Sequence, residues 1–206
     1  MVAAFGVPLV IIGVTTIVLA AIGGPVDLDQ PVQSPVLVAI VFIFGLTVSG
    51  GLNEEPGWRG FAQPYLNNRY SALTASLIIR VVWAGWHLPY FLISIAPHSG
   101  FTLINQIGWF IGIILLSVIL AWAYNGTGSV LTVMVLHAMA NTADILLPLA
   151  PDLLIVDGVL DETAVGTVVM VQLVVQLLVV VAIVLYYGGD TLARGAIPGA
   201  DDIGAE

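Results

Sequence analysis

The chain has 206 residues, 59% hydrophobic and 8% charged, with a mean hydropathy of +1.08. Soluble domains carry about 25% charged residues, so the composition excludes an ordinary soluble domain and predicts a polytopic membrane protein. Four arginines, no lysine and 13 acids give a net charge of −9, which argues against nucleic acid as a partner and fits a high-salt organism; the absence of cysteine excludes disulfides, thiolate metal sites and a Cys nucleophile.

Six apolar runs follow in chain order, at roughly 1–22, 35–53, 72–95, 102–124, 129–150 and 164–187. Each is about 18 residues or longer, enough to cross roughly 30 Å of hydrocarbon. The expected fold class is therefore all-α: a polytopic membrane helical bundle of about six transmembrane helices. Glycine and proline punctuate the joints, at Gly23-Gly24-Pro25, Pro31 to Pro35, Pro97 to Gly100, Asn125 to Gly128 and Pro148 to Asp161. The first run lacks a basic flank and is long for a signal peptide, so it reads as a spanning helix. No internal repeat is visible. Residues 1–190 read as one transmembrane domain, and 191–206 as an acidic disordered tail.

Six crossings put both termini on one side of the membrane, together with Arg59, Arg69 and Arg194. The opposite loops, 23–34, 96–101 and 151–163, hold no Lys or Arg and six acids. The positive-inside rule then predicts a multi-pass protein of the plasma membrane with both termini in the cytoplasm. Asn125-Gly126-Thr127 matches a glycosylation sequon, but on this topology it faces the cytoplasm and reads as a plain turn.

Polar residues interrupt the second, third and fifth runs. Glu54 and Glu55 stand at the end of the second, followed by Arg59. Glu55 and Arg59 are at i and i+4 and face one another on a helix, while Glu54 points about 100° away, so one carboxylate can be neutralised and the other can face a cavity. An unpaired, partly desolvated glutamate suits a general base. In the third run, Arg80, Trp83 and His87 share one helical stripe; with Arg80 taken as the interface marker, His87 lies about 10 Å deeper. His137 is placed about 12 Å into the fifth run, and Asn141 follows one turn later on the same face. These groups share one depth on the cytoplasmic side, and ionisable side chains inside a membrane mark functional sites. Asp144 continues the stripe, either on a cavity floor or at the helix end. His98 reads as a solvated loop residue. Gly108 and Gly112 form a GxxxG that serves close packing within the chain or dimerisation. Trp58, Trp83, Trp86 and Trp109 read as interfacial anchors or packing.

In order along the chain, Glu54-Glu55…Arg59, Trp83…His87 and His137…Asn141 resemble the EExxxR, FxxxH and HxxxN motifs of the CPBP intramembrane proteases, the family of CAAX proteases and Abi-type bacteriocin-processing enzymes. Trp83 replaces the usual Phe. The resemblance covers about residues 36–145. It implies a membrane-embedded endopeptidase, glutamate-dependent or metallo-type, whose site opens to the cytoplasm and acts on membrane-associated peptides or proteins. By that analogy Glu54 and His87 activate a water, His137 and Asn141 stabilise the oxyanion, and Glu55 and Arg59 form a supporting pair. Zinc is the alternative, with Glu54, His87 and His137 as ligands. The chain has no HExxH, and the metal-free arrangement of base and oxyanion donors is the preferred expectation. Two other classes remain: a small transporter or proton-coupled channel using the same Glu and His residues, for which paired halves would be the sign, and an inactive immunity or scaffold protein. The natural substrate and the oligomeric state are not readable from these motifs.

Overall fold

The computed structural model describes residues 2–30, 33–93, 102–156 and 159–200. Helix α1 spans Val2–Ala21, α2 Pro35–Thr47, α3 Gly51–Gly57 and α4 Gln63–Asn67, with a π-helical turn over Trp58–Ala62 joining the last two. Then come α5 (Ala72–His87), α6 (Pro89–Leu92), α7 (Leu103–Thr127), α8 (Val130–Ala143), α9 (Pro151–Leu154) and α10 (Glu162–Tyr187). A two-residue hairpin, Ile155–Val156 against Val159–Leu160, is the only strand pairing of named elements among the described residues. The molecule is an all-α membrane bundle. A helix satisfies its own backbone groups, which hydrocarbon requires.

Among the described residues, four segments are long and apolar enough to cross a membrane: Val2–Ala21, Pro35–Asn67, Leu103–Thr127 and Glu162–Tyr187. The expectation of six runs of about 18 residues is corrected in two places. Helix α5 has 16 residues and α8 has 14, extended by a 3-10 turn to Leu146. Both start at serine caps, where Ser71 and Ser129 accept from the backbone N–H groups of Thr74 and Thr132. Gly128, at φ +66°, closes α7 immediately before the second cap. The second run, in contrast, does not stop at 53: α2 breaks at Val48–Gly50, and the helical path resumes at Gly51 and runs to Asn67, with Glu55 and Arg59 paired inside the protein.

Helices α2 and α3 pack on α8, α1 packs on α8 and α10, and α7 lies between α5 and α10. The core between them holds Trp83, Ile119, Leu120, Val133 and Leu136. Ile17, Ile40, Val81, Ile104, Leu178 and Leu185 face outward, the apolar skin expected of a surface bathed in lipid. Gly45 and Gly51 let α2 and α3 approach α8: added side chains would stand 3.3 Å from the Ala138 carbonyl and 3.1 Å from that of Met134. Gly108 and Gly112 serve close packing within the chain, since a Cβ at 108 would meet Val169 of α10 at 2.8 Å.

The segment after α10, expected to be disordered, is packed as far as residue 200. Ala72 and Leu73 donate backbone bonds to Asp190 and Gly189, Asn125 donates to the Thr191 carbonyl, and Asn67 to that of Pro198, while Leu192 is fully buried. Asn125 is 3% exposed within α7 and donates to the tail, so the expected plain turn is also corrected. At the opposite end of the bundle, Asp27 and Ala150 bond to the carbonyls of Pro148 and Pro25. His98 and its loop lie outside the described residues.

Candidate active site

The site is built around the break between α2 and α3. Ser49 and Gly50 interrupt the helix, and Gly50 adopts φ +113°, a conformation that L side chains rarely adopt. A Cβ there would lie 2.5 Å from His137 Nε2. Glycine is thus required twice, for the backbone and for the imidazole. Asn141, one turn beyond His137, donates from Nδ2 to the Ser49 carbonyl at 2.8 Å and so satisfies a backbone group that the break exposes.

The break re-aims the start of α3, where Glu54 N bonds to Gly50 O at 2.9 Å. Glu55 points inward and is fully buried. Both its oxygens accept from Arg59 Nη1 at 3.1 Å, and Oε1 also receives His137 Nδ1 at 2.7 Å. An ionised carboxylate only accepts, which assigns a proton to Nδ1 and leaves Nε2 toward Gly50 and the cavity. Arg59, also fully buried, lies in the π-turn and donates from Nη2 to Ser117 Oγ at 2.8 Å, and Ser117 in turn donates to the Ser76 carbonyl at 3.0 Å. One ion pair thereby ties α3, α5, α7 and α8 together. A π-turn inserted into a helix is a frequent device at functional sites.

Trp83 is 2% exposed and stands at the centre of an aromatic and cationic stack. Its ring meets His87 edge-on at 5.4 Å and His137 at 5.2 Å, and Arg80 Cζ lies 3.4 Å from its centroid. His87 ends α5, with Nδ1 2.9 Å from the Trp83 carbonyl, which assigns the proton to Nδ1 and makes Nε2 an acceptor. Arg80, taken above as the interface marker, is fully buried in the protein; among the described residues no group accepts from its three nitrogens, and Glu55, Glu54 and Arg59 lie within electrostatic reach. Arg59 likewise belongs to the interior rather than to a loop.

Glu54, Trp83, His87, His137 and Asn141 line one cavity of about 870 Å³, closed on one side by Val7, Ile11 and Ile12 of α1. Glu54 Oε2 is buried there without a hydrogen-bond partner. The four residues expected to carry chemistry are therefore brought to one space. Trp86 and Trp109 also line it, and so does Asp144, which accepts from Gln172 Nε2 at 2.9 Å. The sequence reading missed the bond from His137 to Glu55, the stacking of Arg80 and the role of Gly50. A signal existed for Arg80, one of only four cations, on the stripe of Trp83 and His87.

The donor set was tested against zinc. Glu54, His87 and His137 are not arranged as a three-ligand set, and no group of three His, Cys, Asp or Glu side chains among the described residues is. The residues as arranged do not fit a zinc ion.

Comparison with known proteins gives two matches. The family described as "Type II CAAX prenyl endopeptidase Rce1-like" matches residues 35–143, from the start of α2 to the end of α8. CAAX prenyl protease 2 of Methanococcus maripaludis is 32% identical over 114 residues, which are 52% of this chain and 41% of that protein. The chain thus aligns with about two-fifths of that relative's length. No solved structure matches. The family match covers more than half of the chain, including the three motifs and the helices that meet around Glu55, and on this ground the protein belongs to the Rce1-like CAAX prenyl endopeptidase family.

Proposed function

We propose that the protein is a membrane-embedded endopeptidase that hydrolyses peptide bonds of membrane-associated substrates with a water activated by Glu54. The observation that carries this reading is the Glu54 carboxylate, with Oε2 buried and unpaired in a cavity shared with His87, His137 and Asn141. Glu54, as general base, takes a proton from a water, which adds to the substrate carbonyl. The Nε2 acceptor of His87 helps to hold that water. His137, held through Nδ1 by Glu55, turns Nε2 toward the cavity, and in its doubly protonated form that Nε2–H donates to the developing oxyanion. As the tetrahedral intermediate collapses, the C–N bond breaks and the proton held by Glu54 passes to the leaving amine. Asn141 lies beside this oxygen site, but its amide is partly committed to Ser49. Its larger contribution is to hold the break that positions Glu54.

The site opens toward the cytoplasm in this proposal, as the positive-inside rule implies. The test is Glu54→Ala in proteoliposomes. It inserts and melts like the unaltered protein, while cleavage of a lipidated peptide falls by at least about 10³-fold, the scale of losing a general base together with its bound water. Cleavage at the unaltered rate refutes the assignment.

A further inference from the structure

The cavity has a second polar group that the proposed chemistry does not use. Asp144 follows α8; Gln172 of α10 bonds to it, and Gln176 of α10 lines the same cavity. Along α10, from Val168 to Leu185, these glutamines are the only polar side chains, and their i, i+4 spacing puts both on one face. Asp144 and α10 lie outside the residues that the family match covers.

Glutamine on a membrane helix commonly serves as a hydrogen bond between helices. Gln172 does so, donating to Asp144 Oδ1 at 2.9 Å. Gln176 does not: its Oε1 is buried, has no partner and lines the cavity. Among the described residues no arginine or histidine forms an ion pair with Asp144. Asp144, with no ion-pair partner among the described residues, and the unpartnered Gln176 Oε1 line the same cavity and give it two acceptor positions. These are complementary to a cation with several N–H groups, and charge-assisted bonds to such a cation are the strong ones.

We propose that Asp144, Gln172 and Gln176 form a specificity subsite that takes a basic side chain, lysine or arginine, of the peptide substrate. The proposal rests on the endopeptidase reading above. His137 and Asp144 are seven residues apart along α8 and its 3-10 extension, about 10 Å. An extended peptide covers about 3.3 Å per residue, so the basic residue falls within about three residues of the scissile bond.

The test uses the full chain in proteoliposomes and a series of fluorogenic peptides. A single lysine is stepped through three positions on each side of the scissile bond, each peptide being paired with one carrying norleucine, its neutral near-isostere. At one position kcat/KM favours lysine by about tenfold or more, the scale of a hydrogen-bonded charge. Asp144→Asn brings that ratio close to one, and Gln176→Leu lowers it. Should Asp144→Asn fail to fold, Gln176→Leu alone carries the test, and an unchanged ratio overturns the subsite. Equal cleavage of lysine and norleucine peptides at every position by the unaltered protein overturns it as well. If neither member of any pair is cleaved, the endopeptidase reading fails first and the subsite with it.

Discussion

Glu55 illustrates how one side chain can hold a site together without doing chemistry. It neutralises Arg59 and orients His137, and both of its partners are buried. Glu55→Ala leaves a buried guanidinium uncompensated, which costs about 3–5 kcal/mol, and its melting temperature in detergent falls accordingly. Glu55→Leu combined with Arg59→Met removes both charges and recovers most of that stability, because a buried pair can often be replaced by apolar residues at little cost. The double variant stays inactive, since His137 has lost its orienting carboxylate; recovery of cleavage along with stability would assign Glu55 a purely structural role. Trp83 gives a second case. Trp83→Phe keeps an aromatic face for Arg80 and an edge contact with the histidines, so it retains activity within about tenfold. Trp83→Ala opens a cavity beneath both histidines and destabilises by about 3–5 kcal/mol. Thermal melts and cleavage assays on the pair separate packing from chemistry.

At the scale of elements, the break at Ser49-Gly50 decides where the chemistry sits. An uninterrupted helix from Pro35 to Asn67 would aim the Glu54 and Glu55 side chains differently and would present a Cβ to His137. Gly50→Ala therefore inserts normally but loses cleavage by at least about 10²-fold, because a Cβ at 2.5 Å from His137 Nε2 must move the ring and the positive φ is strained. Circular dichroism unchanged from the unaltered protein, together with lost activity, is the expected result; full activity would show that the ring can move without harm. This break also marks the limit of what the sequence reveals. The helical class, the pairing of Glu55 with Arg59 and the face shared by His137 and Asn141 were legible because helical periodicity alone places them. Gly50 and the bond from His137 to Glu55 were not, because they depend on α3 meeting α8, a contact between residues 82 positions apart. The burial of Arg80 over Trp83 was not legible for a related reason: it too depends on the assembled site.

For the whole molecule, the question is which end faces the cytoplasm. The loops bear on it through their mutual contacts. The 22–30 loop bonds to 147–150 at one end, and the α4–α5 junction, the end of α7 and residues 188–200 meet at the other. Exposed acids, Asp29 and Asp152 among them, mark the first end, and Arg69 and Arg194 mark the second. With Arg59 and Arg80 buried, the sidedness rests on these two arginines against a face whose described residues include no basic side chain. The rule for positive loops predicts that the arginine end lies inside. The chain has no cysteine, so any cysteine introduced is its sole thiol. Gly195→Cys, where a Cβ meets nothing within 4 Å, stays protected from an impermeant maleimide in intact cells and reacts after permeabilisation. Asp152→Cys, at the exposed acidic end, reacts in both conditions. The reverse pattern would turn the bundle over and put the arginine end outside the cell. Because the labels read only the loops, that outcome would leave the assignment of Glu54 untouched.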